Sequence, residues 1–90
     1  MQAVLISTDE QPRLSLVRLH HINPDHAMVQ AQGQEPRVVQ ALQVVYSWPC
    51  RPHPKIWRRV IAVEPNITPG KPIAETRAQV RALLRRAGIR

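Results

Sequence analysis

The sequence predicts an α+β protein with a small antiparallel sheet of about four strands, an uncertain middle helix over residues 36–47 and a C-terminal amphipathic helix over residues 73–87. Short apolar runs separated by turn-forming residues fill the first third of the chain, which is typical of strands. The final segment instead repeats apolar residues at helical spacing. Ninety residues with 43% hydrophobic content suffice for one small core, so residues 1–90 are expected to form a single basic domain.

Three strands are predicted in the first third of the chain. Residues 3–6 form an apolar run that ends at the turn signal of residues 9–12, and residues 14–22 are rich in Leu and β-branched side chains. These two segments are expected to pair as a hairpin. A second turn at residues 23–25 contains proline, and residues 26–32 alternate small apolar with polar side chains, which indicates a half-exposed third strand.

The segment 36–47 is ambiguous between helix and strand. As a strand, neither of its two alternating faces is consistently apolar. As a helix, it places Pro36 in the first turn, where the missing N–H costs nothing, and it aligns several apolar residues on one side. These residues are Val38, Val39, Leu42, Val45 and Tyr46. The four valines favour a strand, since β-branching disfavours helix slightly, but the spacing favours the helix.

A stiff connector and a fourth strand are expected next. Residues 48–54 contain three prolines, which indicates an extended loop with few backbone donors. Residues 55–63 follow with apolar side chains on both alternating faces, and this pattern predicts a central strand covered by a helix. A second proline-containing connector occupies residues 68–72.

The C-terminal helix has the clearest pattern. Its apolar residues at positions 73, 80, 83, 84 and 87 fall on one face. Glu75 lies in the first turn and Arg85 and Arg86 lie in the last, as the helix dipole favours. Gly88 supplies a stop signal after residue 87.

Positive charge is concentrated in the second half of the chain. Residues 1–50 carry three arginines against four acidic residues, a net charge of −1. Residues 51–90 carry ten Lys or Arg residues against two acidic ones, a net charge of +8. A field of one sign that strong favours an anionic partner, so we expect the partner to be nucleic acid or an acidic protein surface.

Two segments carry the candidate binding residues. On the final helix, three arginines four residues apart repel one another, and an anion would relieve that repulsion. The segment 55–59 interleaves a tryptophan with basic residues, as in surfaces that stack bases and neutralise phosphates. The structural alternatives are a solvated outer face for the arginines and a core position for the tryptophan. The candidates are Lys55, Trp57, Arg58, Arg59, Arg77, Arg81, Arg85 and Arg86.

The sequence therefore predicts a non-catalytic nucleic-acid-binding protein that uses the C-terminal helix and the 55–59 strand for phosphate contacts. The alternative is a small adaptor or inhibitor that binds an acidic or nucleic-acid-handling protein. No glycine-rich phosphate loop, nucleophile motif or carboxylate pair is evident, so neither an enzyme nor a small-molecule substrate nor a cofactor is expected.

Metal binding is a lesser alternative. His21, His26, Cys50 and His53 could together offer four zinc ligands, but their spacing matches no standard zinc finger. The alternative to a zinc site places these side chains on strand faces and in an exposed proline-rich loop. We therefore expect no metal site.

The cysteine content and the apolar runs of the sequence bear on where in the cell the protein is located. Cys50 is the only cysteine, so an internal disulfide is excluded. The N-terminus lacks a basic region followed by a long apolar stretch, and no apolar run approaches the roughly 20 residues that span a bilayer. We expect a cytoplasmic protein without a membrane partner.

Overall fold

The computed structural model describes residues 1–89 of the chain. These residues form one antiparallel sheet of five strands and two α-helices, which confirms the predicted α+β class. The strands are β1 (Gln2–Ile6), β2 (Leu14–Ile22), β3 (His26–Gln30), β4 (Arg37–Gln40) and β5 (Val44–Trp48). The helices are α1 (Pro54–Ala62) and α2 (Ile73–Arg86), with short 3-10 turns at Ala41–Gln43 and Glu64–Asn66.

The first three strands form where the sequence predicts them. β1 and β2 pair as an antiparallel hairpin in which Val4 lies opposite Leu16. β3 pairs with β2 on its other side and ends at Gln30, slightly before the predicted end. The turn between β2 and β3 is held by Asn23, whose side-chain oxygen accepts from the backbone N–H groups of Asp25 and His26.

The predicted helix over residues 36–47 is wrong, because this segment forms β4, a 3-10 turn and β5. The apparent helical spacing arises from two strand patterns that are joined out of phase by the three-residue turn Ala41–Gln43. A bulge adds a further shift, since Leu5 pairs with Val44 and Val4 pairs with Tyr46, which leaves Val45 between them. The four valines follow their β-branched preference for strands.

The predicted strand over residues 55–63 is also wrong, because residues 54–62 form α1. The apolar residues Ile56, Trp57, Val60 and Val63 are spaced one, three and three apart, which is one helical stripe rather than two strand faces. Pro54 occupies the first helical turn, and the His53 ring Nδ1 accepts from the backbone N–H of Lys55 at 3.1 Å. These two start signals explain why the helix begins here.

The sheet is strongly curled. Its strand order is β4-β3-β2-β1-β5, so β4 and β5 are the outermost strands, yet only three residues join them. A flat sheet would hold those strands about 19 Å apart, at roughly 4.8 Å per neighbouring pair. The four Cα–Cα steps from Gln40 to Val44 span at most about 15 Å. The outer strands must therefore curve towards each other.

Two buried clusters lie on the two faces of the curled sheet. The inner cluster is made of small and medium aliphatic side chains from the strands, namely Ala3, Leu5, Val17, Leu19, Ala27, Val29, Val39 and Val44. The outer cluster joins sheet residues to both helices and comprises Val4, Ile6, Leu14, Val45, Val60, Val63, Ile67, Val80, Leu84 and Ile89. Both helices therefore pack on the outer face of the sheet, and α2 forms as the sequence predicts.

Candidate functional site

An open groove of about 840 Å³ lies between α1 and the outer face of the sheet. On the sheet side it is lined by residues of β1, β2 and β3, including Gln2, Arg18 and Gln30. On the helix side it is lined by residues of the proline-rich loop and α1. Segments that are far apart in the sequence therefore meet along this groove.

Three arginines converge on the groove. Arg18 comes from β2, Arg51 from the proline-rich loop and Arg58 from α1, and all three side chains are exposed. None of the described residues that line the groove is acidic. The Glu64 carboxylate, which is outside the lining, accepts from the backbone N–H of the lining residue Leu14 at 3.1 Å. Three guanidinium groups in a lining without an acidic residue give a local positive potential, so the groove is suited to an anionic ligand.

The position of Arg18 follows from the strand register. Leu16 and Arg18 share the outer face of β2, and Arg18 lies opposite Gln2 on β1 and Gln30 on β3. The Gln30 amide nitrogen donates to the backbone carbonyl of Gln34 at 3.0 Å, and its amide oxygen lies 2.8 Å from the His20 ring Nε2. Arg18 is thus flanked on both sides by glutamine, a polar but uncharged side chain.

Trp57 provides an aromatic surface beside the arginines. Its half-buried side chain packs against the outer core cluster and also lines the groove. Arg58 follows it on α1, and the His53 cap at the start of the helix holds the first turn in place. Trp57 therefore combines the core position and the groove position that the sequence presents as alternatives.

The remaining candidates on α1, Lys55 and Arg59, are exposed but do not line the groove. The strand that the sequence predicts over residues 55–59 would place Lys55, Trp57 and Arg59 on one face. In the helix that forms, Trp57 faces the core and the groove while Lys55 and Arg59 point to solvent. The change of element therefore redistributes these side chains.

The arginines of α2 separate into two groups. Arg81, Arg85 and Arg86 are exposed and lie outside the groove. Arg77 is half-buried, and its Nε donates to the backbone carbonyl of Val44 at 3.1 Å. Burial, together with the nearby positive charge of Arg81, lowers the pKa of Arg77 below its ordinary value. Arg77 fastens α2 to the start of β5, which is a structural role.

Sequence reasoning did not select Arg18 or Arg51. Arg18 belongs to the half of the chain with a net negative charge, so regional charge gave no reason to choose it. The signal was the period of two in Leu14, Leu16 and Arg18, where one strand face changes from apolar to cationic. Arg51 lies in a loop that its neighbouring prolines stiffen.

The alternative zinc ligands are not brought together. Among residues 1–89, no group of three or more His, Cys, Asp or Glu side chains could hold a metal ion. The His53 Nδ1 already accepts the hydrogen bond that caps α1. His21, His26, Cys50 and His53 therefore do not form the site considered from the sequence.

Comparison with known proteins finds no match for this chain among protein-family models, curated proteins or solved structures. Within residues 1–89, neither helix has the length and apolar character needed to cross a lipid bilayer.

Proposed function

We propose that this is a non-catalytic nucleic-acid-binding protein whose groove contacts phosphates through Arg18, Arg51 and Arg58. The observation that supports this most directly is their convergence, from β2, a loop and α1, on one open groove whose described lining contains no acidic residue. The forked guanidinium group matches the oxygens of a phosphate, and such contacts supply affinity that does not depend on base sequence.

The exposed basic residues outside the groove would add to the attraction. Arg81, Arg85 and Arg86 on α2, with Lys55 and Arg59 on α1, contribute to the overall charge of +7. A positive surface of this kind raises the association rate with a polyanion and fades as salt screens it. We assign these five residues to long-range attraction and flanking phosphate contacts, and Arg77 to the anchoring of α2.

An acidic protein surface remains the competing partner, as expected for an adaptor or inhibitor. The groove supports nucleic acid because it pairs guanidinium groups with the half-buried aromatic ring of Trp57, and each nucleotide carries one phosphate and one aromatic base. A cytoplasmic location, where nucleic acid is accessible, is part of this proposal.

Fluorescence anisotropy with labelled mixed-sequence DNA and RNA, both single-stranded and duplex, tests the proposal at about 50 mM salt and upwards. We expect log K to fall linearly with log salt. Arg18→Gln, Arg51→Gln and Arg58→Gln should each weaken binding several-fold and reduce the magnitude of the slope by about 1.

The matched control is Arg13→Gln, which removes the same charge from an exposed residue that does not line the groove. It should leave affinity close to that of the native protein. Equal losses in Arg13→Gln and the groove variants would mean that net charge alone drives binding, and the groove would be excluded. No binding of any of these nucleic acids at about 50 mM salt would overturn the proposed function and favour an acidic protein partner.

A further inference from the structure

We propose that the groove selects single-stranded over double-stranded nucleic acid and that one unpaired base stacks on Trp57. This inference rests on the proposed function and names the ligand class of the same groove. It depends on three features of the structure: the placement of Trp57, the size of the groove and the chemistry of its uncharged polar residues.

Trp57 belongs to both the core and the groove. Its half-buried side chain packs against the outer core cluster and also lines the groove, as does the next residue, Arg58. A ring that is already immobilised by the core loses little further freedom when a base stacks on it. Because every base has a π-face, this contact would tolerate any sequence.

A duplex cannot make that contact. Its bases are stacked on one another, so a protein reaches only phosphates and the base edges in the grooves. Base faces become accessible in single strands, loops and flipped-out nucleotides. An open groove of about 840 Å³ has room for a short stretch of one strand.

Uncharged polar side chains complete the lining. Gln2 lies on the sheet side, next to Arg18, and Gln32 follows β3. Each glutamine amide offers two donor hydrogens and one acceptor oxygen. These groups can pair with the Watson–Crick edge of an unpaired base, which is occupied by the partner strand in a duplex. The arginines would contact the phosphates on either side of that base.

The experiment uses the tryptophan itself as a probe. Trp48 packs against Tyr46, with ring centroids 4.9 Å apart, and does not line the groove. Trp48→Phe therefore leaves Trp57 as the single tryptophan, which is excited selectively over Tyr46. We titrate this protein with a mixed-sequence single strand and with the duplex of the same sequence, in the same buffer. The single strand should quench Trp57 fluorescence and bind about tenfold more tightly than the duplex.

Trp57→Leu and Trp57→Phe provide the matched variants in the otherwise native protein. Leucine preserves apolar packing against the core but removes the stacking surface, so it should abolish the tenfold preference by weakening single-strand binding. Phenylalanine keeps a smaller ring and should retain part of the preference. Far-ultraviolet circular dichroism and thermal melting of each variant report whether it folds, and the Trp57→Phe result applies if the leucine variant unfolds.

Different results would overturn the stacking proposal and the proposed function. Equal affinity for single strand and duplex, or binding of the single strand without a change in Trp57 fluorescence, would overturn the stacking proposal while phosphate binding stands. An equal loss of affinity for both nucleic acids in a folded Trp57→Leu variant would also overturn it. The absence of binding to either nucleic acid would remove the proposed function as well.

Discussion

The side-chain amide of Gln43 donates a hydrogen bond of 3.0 Å to the backbone carbonyl of Ile6, in the buried region beneath the turn that joins β4 to β5. The Gln43 amide oxygen also accepts from the backbone N–H of Gln40 at 3.0 Å. One side chain therefore ties the turn between the two outermost strands to the end of β1, where the sheet curls.

We predict that Gln43→Leu destabilises the protein by about 1–3 kcal/mol. The substitution removes one hydrogen-bond donor from the Ile6 carbonyl and one acceptor from the Gln40 N–H. Urea unfolding followed by circular dichroism measures the change. Gln11→Leu, an exposed position between β1 and β2, serves as the control and should stay within about 0.5 kcal/mol of the native protein. Equal losses of stability in the two variants would show that Gln43 does not stabilise the protein by tying the β4–β5 turn to β1.

Arg77 and Arg81 should behave differently although they lie one helical turn apart. Arg77→Ala removes the hydrogen bond to the Val44 carbonyl and should cost about 1 kcal/mol of stability. Arg81→Ala should change stability by less than about 0.5 kcal/mol, since its side chain is exposed and its charge repels that of Arg77. In anisotropy titrations, Arg81→Ala should weaken nucleic-acid binding modestly. Unfolding by Arg81→Ala but not by Arg77→Ala would contradict this assignment.

Leu84 and Leu83 test which side of α2 faces the sheet. Leu84 is only 2% exposed within the outer cluster, so Leu84→Ala should cost about 2–5 kcal/mol. Leu83 is half-buried at the margin of the same cluster, and Leu83→Ala should cost clearly less. Chemical denaturation of the two variants under identical conditions gives the comparison. The reverse order would show that the helix face is misassigned.

His53 should stabilise α1 through its ring Nδ1, which accepts a hydrogen bond from the first turn of the helix. His53→Ala removes the acceptor for the Lys55 N–H and should cost about 1 kcal/mol, as the loss of a helix cap does. His53→Asn restores a capping oxygen and should recover most of that stability. The readouts are the urea midpoint and the helical signal in circular dichroism. If asparagine is no better than alanine, the contribution of His53 comes from something other than capping.

The strands and the helix that follow simple patterns could be predicted from the sequence. Residues 14–22 are rich in Leu and β-branched side chains and residues 73–87 keep one helical period, and local preference agrees with tertiary packing in both. Residues 36–47 could not be resolved in this way, because a three-residue turn and the bulge at Val45 shift the phase of the strand pattern. In residues 55–63, apolar side chains at helical spacing also fill both faces of a hypothetical strand.

The candidate site was predicted only in part. Trp57 and Arg58 were selected because they are adjacent in a basic stretch, and both line the groove. Arg18 and Arg51 were not selected, because their proximity to Arg58 depends on the strand register and on how α1 packs against the sheet. Residues that meet through register and packing leave no local pattern in the chain.

The sequence by itself determined the α+β class, the C-terminal amphipathic helix and the excess of positive charge, since composition and periodicity are properties of neighbouring residues. Only the tertiary structure decided which basic side chains meet at the groove. The short connection between β4 and β5 curls the sheet, and α1 packs beside Arg18 on its outer face. The groove therefore draws one arginine from the half of the chain that carries a net negative charge.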